Sequence, residues 1–182
     1  MNVTTESEIN PRSTGSLAGK YLTFILAGDS FGIPVLKVRE IIRHTIIRAV
    51  PGMPDYVCGV INLRGKIIPV LDLRLRFGLP AGSNNDQTCI VVVQVATDDS
   101  RTVATGLVVD GVEEVAQIAS SDIELTPHFG GCGTADYLLG MAKVKGVVKA
   151  LLDIDHAVGS TALAQLRLAA RQTSAAGNNQ PI

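Results

Sequence analysis

An internal repeat constrains the fold of this chain more than any other feature of its sequence. A shift of 81 residues superimposes residues 136–154 on residues 55–73 with six of nineteen positions identical, and a shift of 74 superimposes residues 106–115 on residues 32–41. The matched segments are rich in Val and Ile, which favour strands, and they contain Gly and Asp at positions that favour turns. The repeat therefore predicts two similar small β-barrels.

The strand pattern within each half is the same. Short apolar runs bounded by Gly, Pro, Asn or Asp predict a strand, a turn, a long strand ending near Glu40 or Glu114, and then two more strands of which the last ends in Leu-Asp. The fold class is therefore mainly β, with a short helix after Leu73. Two barrels of this size would also shield a third apolar region where they meet.

Composition gives the domain boundaries. Hydrophobic residues make up 46% of the 182 residues, which is enough for a sizeable core, but both ends are polar and show no periodicity. We predict a disordered tail over residues 1–19, one barrel over about 20–80 and a second over about 86–158. Leu163, Leu166 and Ala170 share one face of a predicted helix over 159–172, and a second disordered tail follows over 173–182.

Charge is distributed unevenly along the chain. Up to Pro80 there are ten Lys/Arg against six Asp/Glu, and beyond it six against eleven, which gives net charges of +4 and −5. A nucleic-acid-binding protein needs a strongly positive surface to displace phosphate counterions, so protein partners are favoured. A small-barrel nucleic-acid binder remains the alternative, and it would use Arg39, Arg43, Arg48 and Arg64.

No segment of the sequence indicates a metal, a cofactor or a membrane span. Three cysteines, Cys58, Cys89 and Cys132, lie more than thirty residues apart and form no metal-binding or disulfide pattern. The longest uncharged stretch of the folded part is about half of the roughly 20 residues that a spanning helix needs. With a polar start, the chain is expected to be cytoplasmic, without membrane insertion.

Catalytic motifs are missing as well, so we predict that the chain is not an enzyme. The Gly130–Gly133 loop around Cys132 is not preceded by a strand, and no histidine is placed to activate the thiol. Asp72 and Asp153 end equivalent strands, so turn or capping roles are favoured over paired-carboxylate catalysis. An enzyme that uses Cys132 or these aspartates remains a second alternative.

Two charged residues stand out in the basic first half. Glu40 and Arg64 each lie at the end of an apolar strand, and we predict that they pair across a groove. Beside an exposed apolar patch with Val38 and Val60, such a pair would specify a partner rather than stabilise the fold.

The motif Asn62-Leu-Arg-Gly65, followed by Pro69-Val70 and Asp72-Leu73, resembles the CheW-type coupling proteins of bacterial chemotaxis. Residues 31–41, 57–65 and 108–112 carry the same resemblance, which covers roughly residues 20–158. It implies two SH3-like five-stranded barrels and an adaptor that joins chemoreceptors to a histidine autokinase, without phosphate transfer, and that helps to assemble receptor arrays.

The resemblance also implies the sites. Val38, Glu40, Gly59, Asn62 and Arg64 match family segments that receive the cytoplasmic tip of a chemoreceptor, and Val108, Asp110, Gly111 and Val112 match a segment associated with the regulatory domain of the kinase. Head-to-tail contacts with the related kinase domain would close into rings if the rotation permits.

Overall fold

The computed structural model describes residues 14–80, 82–125 and 137–159. Within these ranges the chain forms eleven strands and three short α-helices. In chain order they are α1 (Thr14–Leu17), β1 (Gly19–Leu26), β2 (Asp29–Pro34), β3 (Val38–Arg43), β4 (Val57–Leu63), β5 (Lys66–Asp72), α2 (Leu73–Arg76), β6 (Cys89–Ala96), β7 (Thr102–Val109), β8 (Gly111–Ile118), β9 (Ile123–Glu124), β10 (Leu138–Val144), β11 (Val147–Leu152) and α3 (Ile154–Val158).

The strands form two small sheets, so the mainly β fold class is confirmed. Sheet A has the order β8-β1-β2-β11-β10-β9 and sheet B has the order β3-β6-β7-β5-β4. Sheet B has the expected five strands, and sheet A has a sixth because the two-residue β9 pairs with β10. The predicted helix after Leu73 is present as α2. The predicted disordered tail over 1–19 is wrong for residues 14–19, because Thr14–Leu17 form α1, Leu17 packs against the sheet A cluster and Gly19 begins β1. The rest of that tail, the tail over 173–182, the Gly130–Gly133 loop and, except for Gly159, the predicted helix over 159–172 lie outside the described residues.

The two sheets are not divided near residue 80, and this part of the prediction is wrong. Hairpin β1–β2 belongs to sheet A with the last strands of the chain, and hairpin β6–β7 belongs to sheet B with β3, β4 and β5. Each predicted long strand is in fact two strands that lie in different sheets. The chain changes sheet through a 3-10 turn at Val35–Lys37 in the first half and at Asp110 in the second.

The duplication is visible in the backbone. Hairpin β4–β5 turns at Arg64 and Gly65 with φ of 52° and 82°, and hairpin β10–β11 turns at Lys145 and Gly146 with φ of 49° and 81°. Both hairpins carry a register shift at the corresponding point, and both are followed by a short helix. The caps also correspond, because Asp72 accepts from the Arg74 backbone N–H and Asp153 accepts from those of Asp155 and His156.

Three apolar clusters form the core. One lies on a single face of sheet A and another on a single face of sheet B, and the largest combines residues of both sheets with α2 and α3. Alternation along a strand explains this, because Ile90 and Val92 face the sheet B cluster whereas Val91 and Val93 face the shared one. The third apolar region expected between the barrels is therefore present.

Candidate functional site

The predicted pairing of Glu40 with Arg64 is confirmed. The two guanidinium nitrogens of Arg64 donate to the two carboxylate oxygens of Glu40, each at 2.8 Å. Glu40 lies on β3 and Arg64 follows β4, which are the two edge strands of sheet B. The ion pair therefore joins the edges of the sheet. Because 75% of the Arg64 side chain is exposed, the pair contributes little to stability and remains accessible to a partner.

The Asn-Leu-Arg-Gly motif forms the turn that presents Arg64. The Asn62 side-chain oxygen accepts a hydrogen bond of 2.9 Å from the Gly65 backbone N–H, and Arg64 has the positive φ of a type I′ turn. Asn62 is itself exposed. Glu40, Asn62 and Arg64 thus lie at one end of sheet B.

Gly59 and Val38, the other two residues of the predicted receptor site, have structural contacts. Residues Arg48 and Val60 exchange two backbone hydrogen bonds of 2.9 Å, which bring the chain after β3 across β4. A Cβ on Gly59 would lie 2.0 Å from the Arg48 carbonyl oxygen, so only glycine fits beneath this crossing. Val38 is half-buried and packs against the shared core.

A cavity of about 380 Å³ opens beside the Glu40–Arg64 pair, and we call it the sheet B socket. It is lined by Arg39, Glu40, Leu63, Arg64, Lys66, Ile68, Val92, Gln94 and Ala104. Residues Ile68 and Val92 are buried members of the sheet B cluster, so the floor is aliphatic, whereas the rim is charged. Composition and spacing alone did not indicate this cavity, because its lining comes from all five strands of sheet B and one turn.

The second half repeats the ion pair of the first. The shift of 74 relates Glu40 to Glu114 and the shift of 81 relates Arg64 to Lys145. The Lys145 ammonium donates to the Glu114 carboxylate at 2.8 Å, and 76% of the Lys145 side chain is exposed. Each sheet therefore presents an exposed ion pair at the same relative position.

A buried lysine distinguishes sheet A from sheet B. Lys149 on β11 is 4% exposed, and its ammonium donates to the Glu113 carboxylate at 2.8 Å and to the Ser30 hydroxyl at 2.9 Å. The Ser30 hydroxyl in turn donates to Glu113. Burial opposes ionisation of Glu113, but the hydrogen bonds from Lys149 and Ser30 outweigh it and lower the pKa of this carboxyl.

We expect Glu113→Gln to lower the free energy of unfolding at pH 7 by about 1–3 kcal/mol, because Lys149 loses a charge-assisted hydrogen bond. A lowered pKa in the folded state means that the contribution of Glu113 is present above its unfolded value of about 4.3 and is lost as the pH falls below it. Urea titrations between about pH 7 and pH 3 should show a steeper acid loss for the unsubstituted protein than for Glu113→Gln. Parallel pH curves would contradict this role.

One of the predicted kinase-binding residues, Asp110, contacts a buried arginine. Arg74 on α2 is 3% exposed and donates to Asp72 at 2.7 and 3.0 Å and to Asp110 at 2.8 Å. Asp110 also accepts from the Ala27 backbone N–H at 2.7 Å. Because Arg74 follows sheet B and Ala27 lies in the β1–β2 turn of sheet A, we call these four residues the inter-sheet clamp.

The other predicted kinase-binding residues differ in accessibility. Val108 is buried in the sheet B cluster, whereas Gly111 and Val112 at the start of β8 are half-buried. Asp110 is partly exposed, with 29% of its side chain accessible. The four residues lie within one five-residue segment, but Asp110 holds the fold together and Val108 faces inward.

No catalytic or metal-binding arrangement is found among the described residues. They contain no group of three or more His, Cys, Asp or Glu side chains that could hold a metal ion. Burial, with the nearby Asp72 charge, raises the pKa of the Cys58 thiol to about 11, so it stays protonated at neutral pH. Asp72 and Asp153 cap helices, and Cys132 lies outside the described residues. Within the same ranges, no helix has the length and apolar character needed to cross a bilayer.

A family model for the CheW-like domain matches residues 20–162. The chain belongs to the CheW family. The chemotaxis protein CheW of Klebsiella aerogenes is 32% identical over 145 residues, which cover 80% of this chain and 84% of that protein. The chemotaxis protein CheW of Bacillus subtilis is 36% identical over 109 residues, covering 60% of this chain and 67% of that protein.

A solved structure gives the same assignment. The scaffolding protein TtCheW from Thermoanaerobacter tengcongensis is 30% identical, with a TM-score of 0.69, and the match covers 80% of this chain and 95% of that one. The arrangement of two small sheets is thus that of a CheW scaffold. Membership of the CheW family makes the chain an adaptor in chemotaxis signalling, and the nucleic-acid alternative gains no support.

Proposed function

We propose that this CheW-family chain joins chemoreceptors to a chemotaxis histidine kinase at the cytoplasmic face of the membrane. The carrying observation is the exposed Glu40–Arg64 pair at the end of sheet B, beside the sheet B socket. An accessible ion pair next to an apolar cavity is suited to recognition of a protein partner, because the charges fix the register and the cavity supplies burial. The cytoplasmic tip of a receptor is the proposed partner there.

The kinase contact is proposed at the start of β8. Asp110, Gly111 and Val112 are the partly accessible members of the predicted set, and the inter-sheet clamp fixes Asp110. We assign this surface to the regulatory domain of the kinase. Receptor and kinase would then occupy different parts of one rigid adaptor.

An adaptor of this kind acts by differential affinity. A bridge changes kinase activity only if the receptor states differ in how favourably they hold the bridge and the kinase, since equal affinities shift no equilibrium. Weak contacts suffice when many copies are held close together, because later contacts then become effectively intramolecular. Head-to-tail contacts with the related kinase domain form rings in receptor arrays if the rotation closes.

We expect Arg64→Glu to lower the affinity for receptor-bearing membranes about tenfold or more, because it places two acidic side chains together where an ion pair now stands. Stability should change by less than about 1 kcal/mol at so exposed a position. Co-sedimentation of the purified full chain with these membranes, with and without kinase, measures both receptor binding and kinase recruitment.

Lys145→Glu is the matched control, since Lys145 has the same turn conformation, the same exposure and a corresponding ion pair. We expect it to leave receptor binding within about twofold. Equal losses of membrane affinity for the two variants would show that the receptor does not bind specifically at the Glu40–Arg64 pair. Failure of the unsubstituted protein to bind the membranes or to recruit kinase would contradict the adaptor function itself.

A further inference from the structure

The two sheets end in corresponding places, and each has a cavity beside its exposed ion pair, but the residues at the corresponding floor positions differ. We propose that the sheet B socket receives one aliphatic side chain from an acidic segment of the chemoreceptor, and that Lys149 and its partners close the corresponding site in sheet A. The proposal rests on the proposed function, and it adds the chemistry of the receptor segment and the means by which the partner distinguishes two similar ends.

The floor of the socket is suited to an aliphatic side chain. Ile68 and Val92 are 5% and 2% exposed, so they belong to the sheet B core, and Ala104 contributes only a methyl group. A cavity of about 380 Å³ above this floor leaves space that no side chain of the described residues fills. Burial of an aliphatic group there removes apolar surface from water on both partners.

The rim of the socket is positive. Arg39, Arg64 and Lys66 face one carboxylate, Glu40, so two positive charges are in excess. When the Gln94 amide is oriented to satisfy its neighbours, its oxygen accepts from the Arg39 guanidinium at 2.8 Å and its nitrogen donates to Thr102. Arg39 is thereby held at the rim. Charge complementarity therefore requires acidic residues beside the aliphatic side chain.

Sheet A has a polar residue at each corresponding floor position. The shift of 81 relates Ile68 to Lys149, the shift of 74 relates Ala104 to Ser30, and strand pairing relates Val92 to Thr23, since each lies opposite the equivalent glycine. At the rim, Glu113 stands where sheet B has Arg39.

These polar groups bind one another, and none of them lines the cavity of about 410 Å³ beside the Glu114–Lys145 pair, which is lined mainly by residues of β8 and β10. Lys149 donates to both Glu113 and Ser30, so the hydrogen-bonding groups at the floor of sheet A are already paired. An aliphatic side chain that entered would separate a buried ammonium from its carboxylate, which is strongly unfavourable. The duplication thus gives two similar ends, and the floor positions that are aliphatic in sheet B are polar and already paired in sheet A.

Filling the socket tests the proposal. We expect Ala104→Phe to lower the affinity for receptor-bearing membranes about tenfold or more, because the ring occupies the space of the receptor side chain. Val115→Phe, which adds bulk at the corresponding end of sheet A, should leave the affinity within about twofold. Ala104→Met is the second filling variant, since its flexible side chain enters the cavity without a fixed shape, and thermal melts establish that each variant is folded.

The charge of the rim is tested separately. Lys66→Glu, at an exposed position, should weaken binding severalfold, and Lys66→Arg should restore it. Normal binding by folded Ala104→Phe or Ala104→Met would contradict entry of a receptor side chain into the socket while leaving the adaptor function intact. Normal binding by Lys66→Glu would contradict the presence of acidic residues in the receptor segment. If the unsubstituted protein does not bind receptor membranes at all, both the socket and the proposed function fail.

Discussion

Arg74→Met is expected to lower the free energy of unfolding by about 3–5 kcal/mol, which is a large part of the total stability of an ordinary domain. Arg74 is buried together with Asp72, and its guanidinium also holds Asp110 at 2.8 Å. Removing the cation leaves the buried Asp72 carboxylate without its counter-charge and releases the contact between the two sheets. Met keeps most of the apolar stem, so the loss reports on the charge and the hydrogen bonds.

Urea titration of the full chain at pH 7 measures this loss as a shift of the midpoint. Arg101→Met is the matched control, because Arg101 forms an exposed ion pair at 3.6 Å and should contribute less than about 1 kcal/mol. If the midpoint of Arg74→Met were as little affected as that of the control, the inter-sheet clamp would not stabilise the fold.

Gly59→Ala is expected to lower the free energy of unfolding by about 3 kcal/mol or more, since it combines an unfavourable backbone conformation with a steric clash. Gly59 has a φ of 136°, and a Cβ there would lie 2.0 Å from the Arg48 carbonyl oxygen. The clash is with backbone, so no side-chain rotation relieves it. The segment around Arg48 must move away from β4, which breaks its two hydrogen bonds to Val60.

Thermal and urea unfolding of Gly59→Ala beside Gly65→Ala separates the two contributions. Gly65 also has a positive φ, of 82°, but nothing lies within 4 Å of a Cβ placed there, so its variant carries only the conformational cost of about 1–2 kcal/mol. Similar losses for both variants would show that the crossing at Arg48 adapts easily. Receptor binding per folded molecule of Gly59→Ala would then indicate whether Gly59 also contacts the partner.

The sequence repeat predicted a large part of the fold because the duplicated residues have duplicated local roles. Asp72 and Asp153 cap equivalent helices, and Arg64-Gly65 and Lys145-Gly146 form equivalent turns. These features depend on a few neighbouring residues, so they are readable without long-range information. Pairing of Glu40 with Arg64 was predictable for a related reason, since both residues belong to the same half of the repeat, although Glu40 lies within β3 and not at the predicted strand end.

The placement of the β1–β2 hairpin in sheet A and of the β6–β7 hairpin in sheet B could not be predicted in the same way. Residues 31–41 are predicted as part of one long strand, and only the 3-10 turn at Val35–Lys37 sends its two ends to different sheets. Because the two halves are similar, either hairpin could complete either sheet as far as local preference is concerned. Packing of the shared core, which is a long-range property, decides between these arrangements.

The buried polar groups were missed for another physical reason. A lysine at position 149 in an alternating strand is expected to face solvent, and only the Glu113 carboxylate from another strand makes its burial possible. Likewise, the resemblance associates Asp110 with the kinase, whereas its contact with Arg74 depends on how the chain crosses between sheets. Arg74 and Asp110 are 36 residues apart in the sequence, and so are Glu113 and Lys149, so no local sequence pattern predicts that they pair.

Because each N-terminal hairpin of a half pairs with strands of the other half, the two sheets must be completed in a fixed order during synthesis. The β1–β2 hairpin leaves the ribosome first, yet its neighbours in sheet A are β8 and β11, which end at residues 118 and 152. The nascent chain must therefore carry a largely apolar hairpin whose β2 edge stays unpaired until almost the whole domain has been translated. Sheet B requires only residues up to 109 and can be completed earlier. A translational pause after residue 109 would thus hold a half-assembled molecule with two open strand edges, a species for which chaperones compete with aggregation.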